Sequence, residues 1–142
     1  MNIEKLNNAF VAIVEKKAEL KNIPITDSSR GPQELTLMEM ENMFMREYGA
    51  FIEEALFNVH DEYCPDNDVL LPVAYFASDY LKKGIEGAHQ YDVSNEEGIL
   101  VQADDFPGVE ARLVLCPNPT RLILQGKKEM FREIVWVARE VA

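Results

Sequence analysis

Apolar positions repeat with a helical period through the first half of the chain and with a strand period through much of the second. In IEKLNNAFVAIVEKKAEL, Ile3, Leu6, Phe10, Ile13 and Leu20 recur at helical spacing, with Ala9 and Val14 alongside. That pattern predicts a first helix with one buried stripe. Pro24 interrupts it, and TDSSRGPQ (26–33) has the composition of a mobile connector.

The next stretch, TLMEMENMFMREYGAFIEEALFNVHDEY, carries the strongest signal. Thr36 and Glu39 have the spacing of a capping box, and Leu35 with Met40 the spacing of a hydrophobic staple. Leu37, Met40, Phe44, Tyr48, Phe51, Ile52, Ala55, Leu56, Val59 and Tyr63 then form a wide apolar face. A helix of about 28 residues would run some 40 Å, with Gly49 marking a bend or a close crossing. Pro65 and the acidic residues after it force a turn. LLPVAYFASDYLKK reads as a third helix, opened at Pro72, capped through Asp68 and closed at Gly84.

Beyond Gly87 the period shortens. Ile99, Val101 and Ala103 alternate with polar or outward positions, DDFPG places Pro107-Gly108 for a type II turn, and Ala111, Leu113 and Leu115 point one way. PNPT (117–120) closes a tight loop before RLILQ (121–125), and a weaker strand is expected over His89–Val93. KKEMFREIVWVAREVA reads as a final helix through Met130, Phe131, Ile134, Val135, Val137, Ala138 and Val141, with Trp136 at its edge. The expectation is one α+β domain spanning residues 1–142: three N-terminal helices, an antiparallel meander of three or four strands, and a C-terminal helix packed on the sheet.

Composition changes this picture in one respect. The chain of 142 residues has a net charge of −11, but residues 34–110 hold eighteen acids and three bases while residues 111–142 hold three acids and six bases. An acidic body of this kind disfavours nucleic-acid and anionic membrane surfaces and attracts basic proteins. No apolar run is long enough to span a bilayer, and the N-terminus carries Glu4 and Lys5 where a signal peptide would not, so the expected compartment is the cytoplasm. Two cysteines do not make a disulfide framework, and buried free thiols are expected.

Candidate chemistry concentrates in VHDEYCPDND (59–68). His60, Cys64, His89 and Cys116 are every histidine and cysteine in the chain and would make a zinc set if they converged, although no close ligand pair anchors it. The other reading puts His60 half exposed and protonated at a helix end, beside Asp61. A calcium loop starting at Asp66 fails, because its twelfth position is Ala77. Di-iron bundles need a glutamate three residues before histidine, and here Phe57 stands there. No nucleophile elbow or glycine-rich phosphate loop occurs. Arg112, Arg121, Lys127, Lys128, Arg132 and Arg139 cluster late in the chain; either they bind an acidic ligand, with Arg112 and Arg121 as cross-strand neighbours, or they pair with the chain's own acids.

The expected function is therefore non-enzymatic protein interaction by a small acidic chaperone, adaptor or inhibitor that binds stoichiometrically, with no cofactor. Its partner would be another protein, basic in character, or a second copy in a homodimer. Met38, Met43, Met45 and Trp136 are the expected contacts, since they lie off or at the margins of the main stripes and methionine repacks readily around apolar partners. Two alternatives stand beside it: a metal-dependent enzyme or metal-binding protein centred on His60 and His89, and an acidic mimic of nucleic acid.

Overall fold

A computed structural model describes residues 1–84 and 90–139. Two helices come first, α1 (Ile3–Lys21) and α2 (Arg30–Tyr63), followed by six short strands: β1 (Leu81–Lys83), β2 (Gln90–Asp92), β3 (Ile99–Val101), β4 (Ala111–Cys116), β5 (Arg121–Gly126) and β6 (Arg132–Val137). The fold is α+β, and two of the expected helices are replaced by extended chain.

Asn2 caps α1 by accepting the Lys5 N–H at 3.0 Å, and the helix buries Leu6, Phe10, Ile13, Val14 and Leu20. α2 starts at Arg30, well before the capping box expected at Thr36; the Thr36 hydroxyl instead donates back to the Pro32 carbonyl at 3.1 Å. Residues 26–33 are therefore only partly connector. Asp27 accepts from the Ser29 N–H and hydroxyl, both at 2.8 Å, and Pro32 fits the first helical turn because no backbone donor is needed there. Arg30 reaches back to the carbonyls of Leu20 and Ile23, closing the end of α1. With Lys16 bonded to Gln33 at 3.1 Å and Phe10 against Phe44 at 5.6 Å, the two helices form an antiparallel hairpin. At 34 residues α2 extends about 50 Å.

β3, β4, β5 and β6 form an antiparallel meander in that order, while β1 and β2 pair separately as a two-stranded ribbon. Ala111, Leu113 and Leu115 of β4 and Leu122 and Leu124 of β5 face the helices, and Val114, Cys116 and Ile123 are buried on the opposite face. The chain from Tyr91 to Gly98 covers that second face. Gln125 donates to the carbonyls of Ser94 and Glu97 at 2.8 and 3.2 Å, and Arg112 donates to the Gly98 carbonyl at 2.9 Å. The turn into β4 has Pro107 and Gly108 at its centre, with Gly108 at φ 78° and the Val109 N–H bonded to the Phe106 carbonyl at 3.2 Å.

The segment read as a third helix contains only a single 3₁₀ turn, Pro72–Tyr75, without a side-chain cap from Asp68. Beyond it the chain is extended, and Phe76 bridges to Leu115 of β4. Its all-round apolar character comes from threading between layers: Phe76 stacks on Phe10 at 4.8 Å, and the Tyr80 hydroxyl accepts from Ala77 N–H and donates to the Leu115 carbonyl.

The expected C-terminal helix is also overturned, because Arg132–Val137 is strand β6. The run Ile-Val-Trp-Val is β-branched and aromatic, which fits a pleated surface better than a helix. The β5–β6 register shifts between Leu122 and Ile123, so that Leu122 opposes Trp136, Ile123 opposes Ile134, and Val135 is the extra residue of a bulge. Phe131 folds over Gly126 so closely that a Cβ there would lie 2.6 Å from the ring, and Phe106 stacks on Phe131 at 3.8 Å. Within the expected strand His89–Val93, residues 90–92 form β2 outside the meander; His89 and Val141 lie outside the described residues.

Candidate interaction surface

α2 is covered unevenly along its length. None of its side chains from Arg30 through Met43 is buried; the first is Phe44, and from there Tyr48, Ile52, Ala55, Leu56, Val59 and His60 enter the core. These turns and Met45 just beyond them nevertheless keep apolar side chains. Leu37 and Met45 are half-buried, while Met38 is 58% exposed, and across from them Leu71 is 60% exposed beside Val73. Together these residues line a groove of about 530 Å³ whose rim carries Glu34, Glu41 and Asn42.

The far wall of the groove is held in place by His60. Its imidazole, 3% exposed, has Nδ1 3.0 Å from the Asn67 carbonyl and Nε2 2.7 Å from the Tyr75 hydroxyl, which also accepts the Leu70 N–H at 3.0 Å. One proton arrangement satisfies every group: Nδ1–H donates to Asn67, the Tyr75 O–H donates to Nε2, and the Leu70 N–H donates to the Tyr75 oxygen. His60 is thus a buried strut between α2 and residues 67–75, not the half-exposed side chain expected at the helix end.

Met38 and Met45 share the groove, seven residues and about two turns apart on α2. Met43 is exposed but is rotated about 140° from Met38 and about 160° from Met45, onto the outer face with Glu39 and Glu47. Trp136 is half-buried elsewhere, its ring 5.8 Å from Phe51 in a shallow hollow with Glu54, Asn58 and Arg139. Leu71 and Val73 were not among the expected contacts, because both were placed inside the third helix. The Leu-Leu pair just before Pro72 was the available signal, since a proline following two large apolar residues fits an extended entry as well as a helix start.

Among the described residues, no group of three or more histidine, cysteine, aspartate and glutamate side chains is placed to hold a metal ion. Both cysteines are free and buried. Burial pushes the Cys64 thiol up to about 11, with the nearby Asp104 charge adding to it. Burial also pushes the Cys116 thiol up to about 11, against the smaller opposing effect of Arg121, and its Sγ donates to the Tyr91 carbonyl at 3.3 Å. Neither is an activated nucleophile. His89 lies outside the described residues. Arg112 and Arg121 are not cross-strand neighbours: Arg112 opposes Gln125, and Arg121 opposes Cys116.

No helix of the described residues is long and apolar enough to cross a membrane. Comparison of the chain with protein-family models, with curated proteins and with solved structures finds no match.

Proposed function

We propose that the chain is a stoichiometric protein-binding module, and that its binding surface is the groove between the first turns of α2 and Leu71–Val73. The observation that carries this reading is the run of α2 without a buried side chain that still exposes Met38 beside Leu71. Helices pack an apolar stripe because burying each large side chain is worth roughly 1.5–3 kcal/mol, and Met38 and Leu71 stay more than half exposed among the described residues.

The occupant is an amphipathic helix with basic flanks. Glu34 and Glu41 stand on the rim, and α2 as a whole carries eight carboxylates against two arginines. An apolar floor with acidic edges selects an apolar ridge bordered by lysine or arginine. Methionine at the centre accommodates ridges of different shape. The metal-centred alternative draws nothing from His60, whose ring nitrogens already face Asn67 and Tyr75.

The six methionines supply the assay, since each ε-methyl gives a separate NMR probe. Titration with a designed leucine/lysine amphipathic peptide should shift the Met38 and Met45 methyls saturably and leave Met43 and Met130 in place. Leu71→Asp should abolish the shift while light scattering reports the same monomer. Equal response to a leucine/glutamate peptide, or shifts centred on Met43, would refute the site. A concentration-dependent dimer abolished by Leu71→Asp would assign the groove to a second copy.

A further inference from the structure

We propose that the sheet face turned away from the helices holds a pocket for a small phosphate-type anion carrying an apolar group, formed by Lys83, Arg121 and Arg132 over Ile123 and Ile134. This site is separate from the groove and from the protein-binding function.

The register builds it. Leu122 opposes Trp136 on the helix-facing side, so Arg121 and Ile123 of β5 project from the other side, where Ile123 opposes Ile134 and Gln125 opposes Arg132. The β1–β2 ribbon brings Lys83 and Asp92 to the same place, 3.0 Å apart, and Arg132 also pairs with Asp92. These side chains, with Gln90 and Tyr91, enclose about 300 Å³. That is the lower end of small-ligand pockets and too small for a macromolecular surface.

The charge does not close. Among the described residues, three cations surround one carboxylate, and Lys83 and Arg132 share it. Arg121, half-buried, forms no ion pair among the described residues. It donates to the carbonyls of Pro117 at 3.0 Å, Pro119 at 2.9 Å and Tyr91 at 2.6 Å, and it also bonds the Cys116 side chain. Carbonyl dipoles fix the guanidinium in place without neutralising it. A chain with eighteen acids in residues 34–110 has carboxylates to spare, yet the described residues of this pocket carry an excess of two positive charges. Other late bases are matched internally, Arg112 and Lys127 both to Glu110. A phosphate monoester dianion balances that excess, and arginine donors suit its oxygens in pairs. Ile134, 56% exposed at the sheet edge, supplies the apolar contact for the ester group.

Calorimetry and amide NMR with phenyl phosphate, inorganic phosphate and benzyl alcohol at fixed ionic strength test the proposal. Phenyl phosphate should bind one saturable site with shifts at Arg121, Ile123 and Ile134, inorganic phosphate more weakly at the same residues, and benzyl alcohol not measurably. Lys83→Gln and Arg132→Gln should each weaken phenyl phosphate by about tenfold, while Arg46→Gln, an equal charge change on α2, should stay within about twofold. Asp92→Asn should tighten binding, because it removes the opposing charge. Non-saturable shifts, equal loss in Arg46→Gln, or weakening in Asp92→Asn would overturn the site. The last result would make the cluster a purely structural network. Lys83 is on the exposed ribbon, so Lys83→Gln and Asp92→Asn decide the question even if Arg132→Gln fails to fold.

Discussion

Removing one oxygen atom from Tyr75 tests whether His60 is a strut. Tyr75→Phe keeps the buried ring and deletes the hydroxyl that donates to His60 Nε2 at 2.7 Å and accepts from the Leu70 N–H at 3.0 Å. His60 is buried, so Nε2 is left dry and unpaired, at a cost of about 1–3 kcal/mol. Leu70 is exposed, so its N–H finds water and adds at most about 0.5 kcal/mol. The sum is about 1–3.5 kcal/mol. Across 142 residues the unfolding entropy is about 0.3 kcal/mol/K, so the melting temperature should fall by about 3–12 °C. Urea denaturation should show a lower midpoint with an unchanged slope. His60→Leu and the double variant complete a thermodynamic cycle, with a coupling energy expected near 1–2 kcal/mol. A loss under about 0.5 kcal/mol, or additive single variants, would refute the shared hydrogen-bond network.

Gly98 has φ +109°, and a Cβ there would sit 2.6 Å from the Leu113 carbonyl oxygen, so Gly98→Ala should cost about 3 kcal/mol or more in urea denaturation. Gly31, with open space around it in the first turn of α2, is the control: Gly31→Ala should stabilise by about 0.4–1 kcal/mol. Cys64 and Cys116 should resist a thiol-reactive dye at pH 7.5 and both react in 6 M guanidinium, as buried protonated thiols do; rapid labelling of the native chain would contradict their placement. Burial raises the Asp92 carboxyl, but hydrogen bonds from Lys83 and the Val93 N–H and the charge of Arg132 outweigh it and hold it below the ordinary value. Its stabilising contribution is therefore full above the unfolded pKa of about 3.9 and is lost as pH falls through the lower folded value; Asp92→Asn should flatten that acid limb of the stability curve.

The helical hairpin was legible because Leu6, Phe10 and Ile13 on α1, and Phe44, Ile52 and Leu56 on α2, keep a 3.6-residue stripe against one partner layer. β6 was not, and the bulge at Val135 is the reason. Before it, Arg132 and Ile134 share a face; after it the parity changes, so Trp136 falls on the same side as Glu133. A strand with a parity change loses its two-residue alternation, and the residues left behind mimic a helical stripe. The Leu70–Tyr80 segment misled in another way: apolar on every side, it has no period, and its own Tyr75 and Tyr80 hydroxyls tie its backbone to His60 and to the Leu115 carbonyl, positions remote in sequence. Met38 and Met45 could be picked out because they stand beside the main α2 stripe, whereas Leu71 joins them only through the fold. The pocket on the back of the sheet was hidden similarly: Arg121 and Arg132 are visible as late bases, but Lys83 and Asp92 arrive through the β1–β2 pairing, and the sequence offered Arg112 as the neighbour instead.

The fold puts the carboxylates of α2 and the Arg121–Arg132 cluster on opposite sides of the sheet. Trp136 packs against Phe51 of α2, so the acidic helix lies on one side of the sheet, while Arg121 and Arg132 project from the other. Packed layers stand about 10 Å apart, and charges are screened over about 8 Å at physiological ionic strength. At that salt an anion over Ile134 is largely shielded from the carboxylates of α2. At about 0.01 M salt the screening length grows to about 30 Å, and the two faces then act on one another. A basic peptide in the groove would neutralise part of the acidic field and favour an anion on the far face. Phenyl phosphate should thus bind more tightly with the leucine/lysine peptide present than without it at low salt, and equally with or without it at 0.15 M. A coupling that survives at high salt would have to travel through the packed core instead, and Leu71→Asp, which removes the peptide from the groove, would then remove the effect at both salt concentrations.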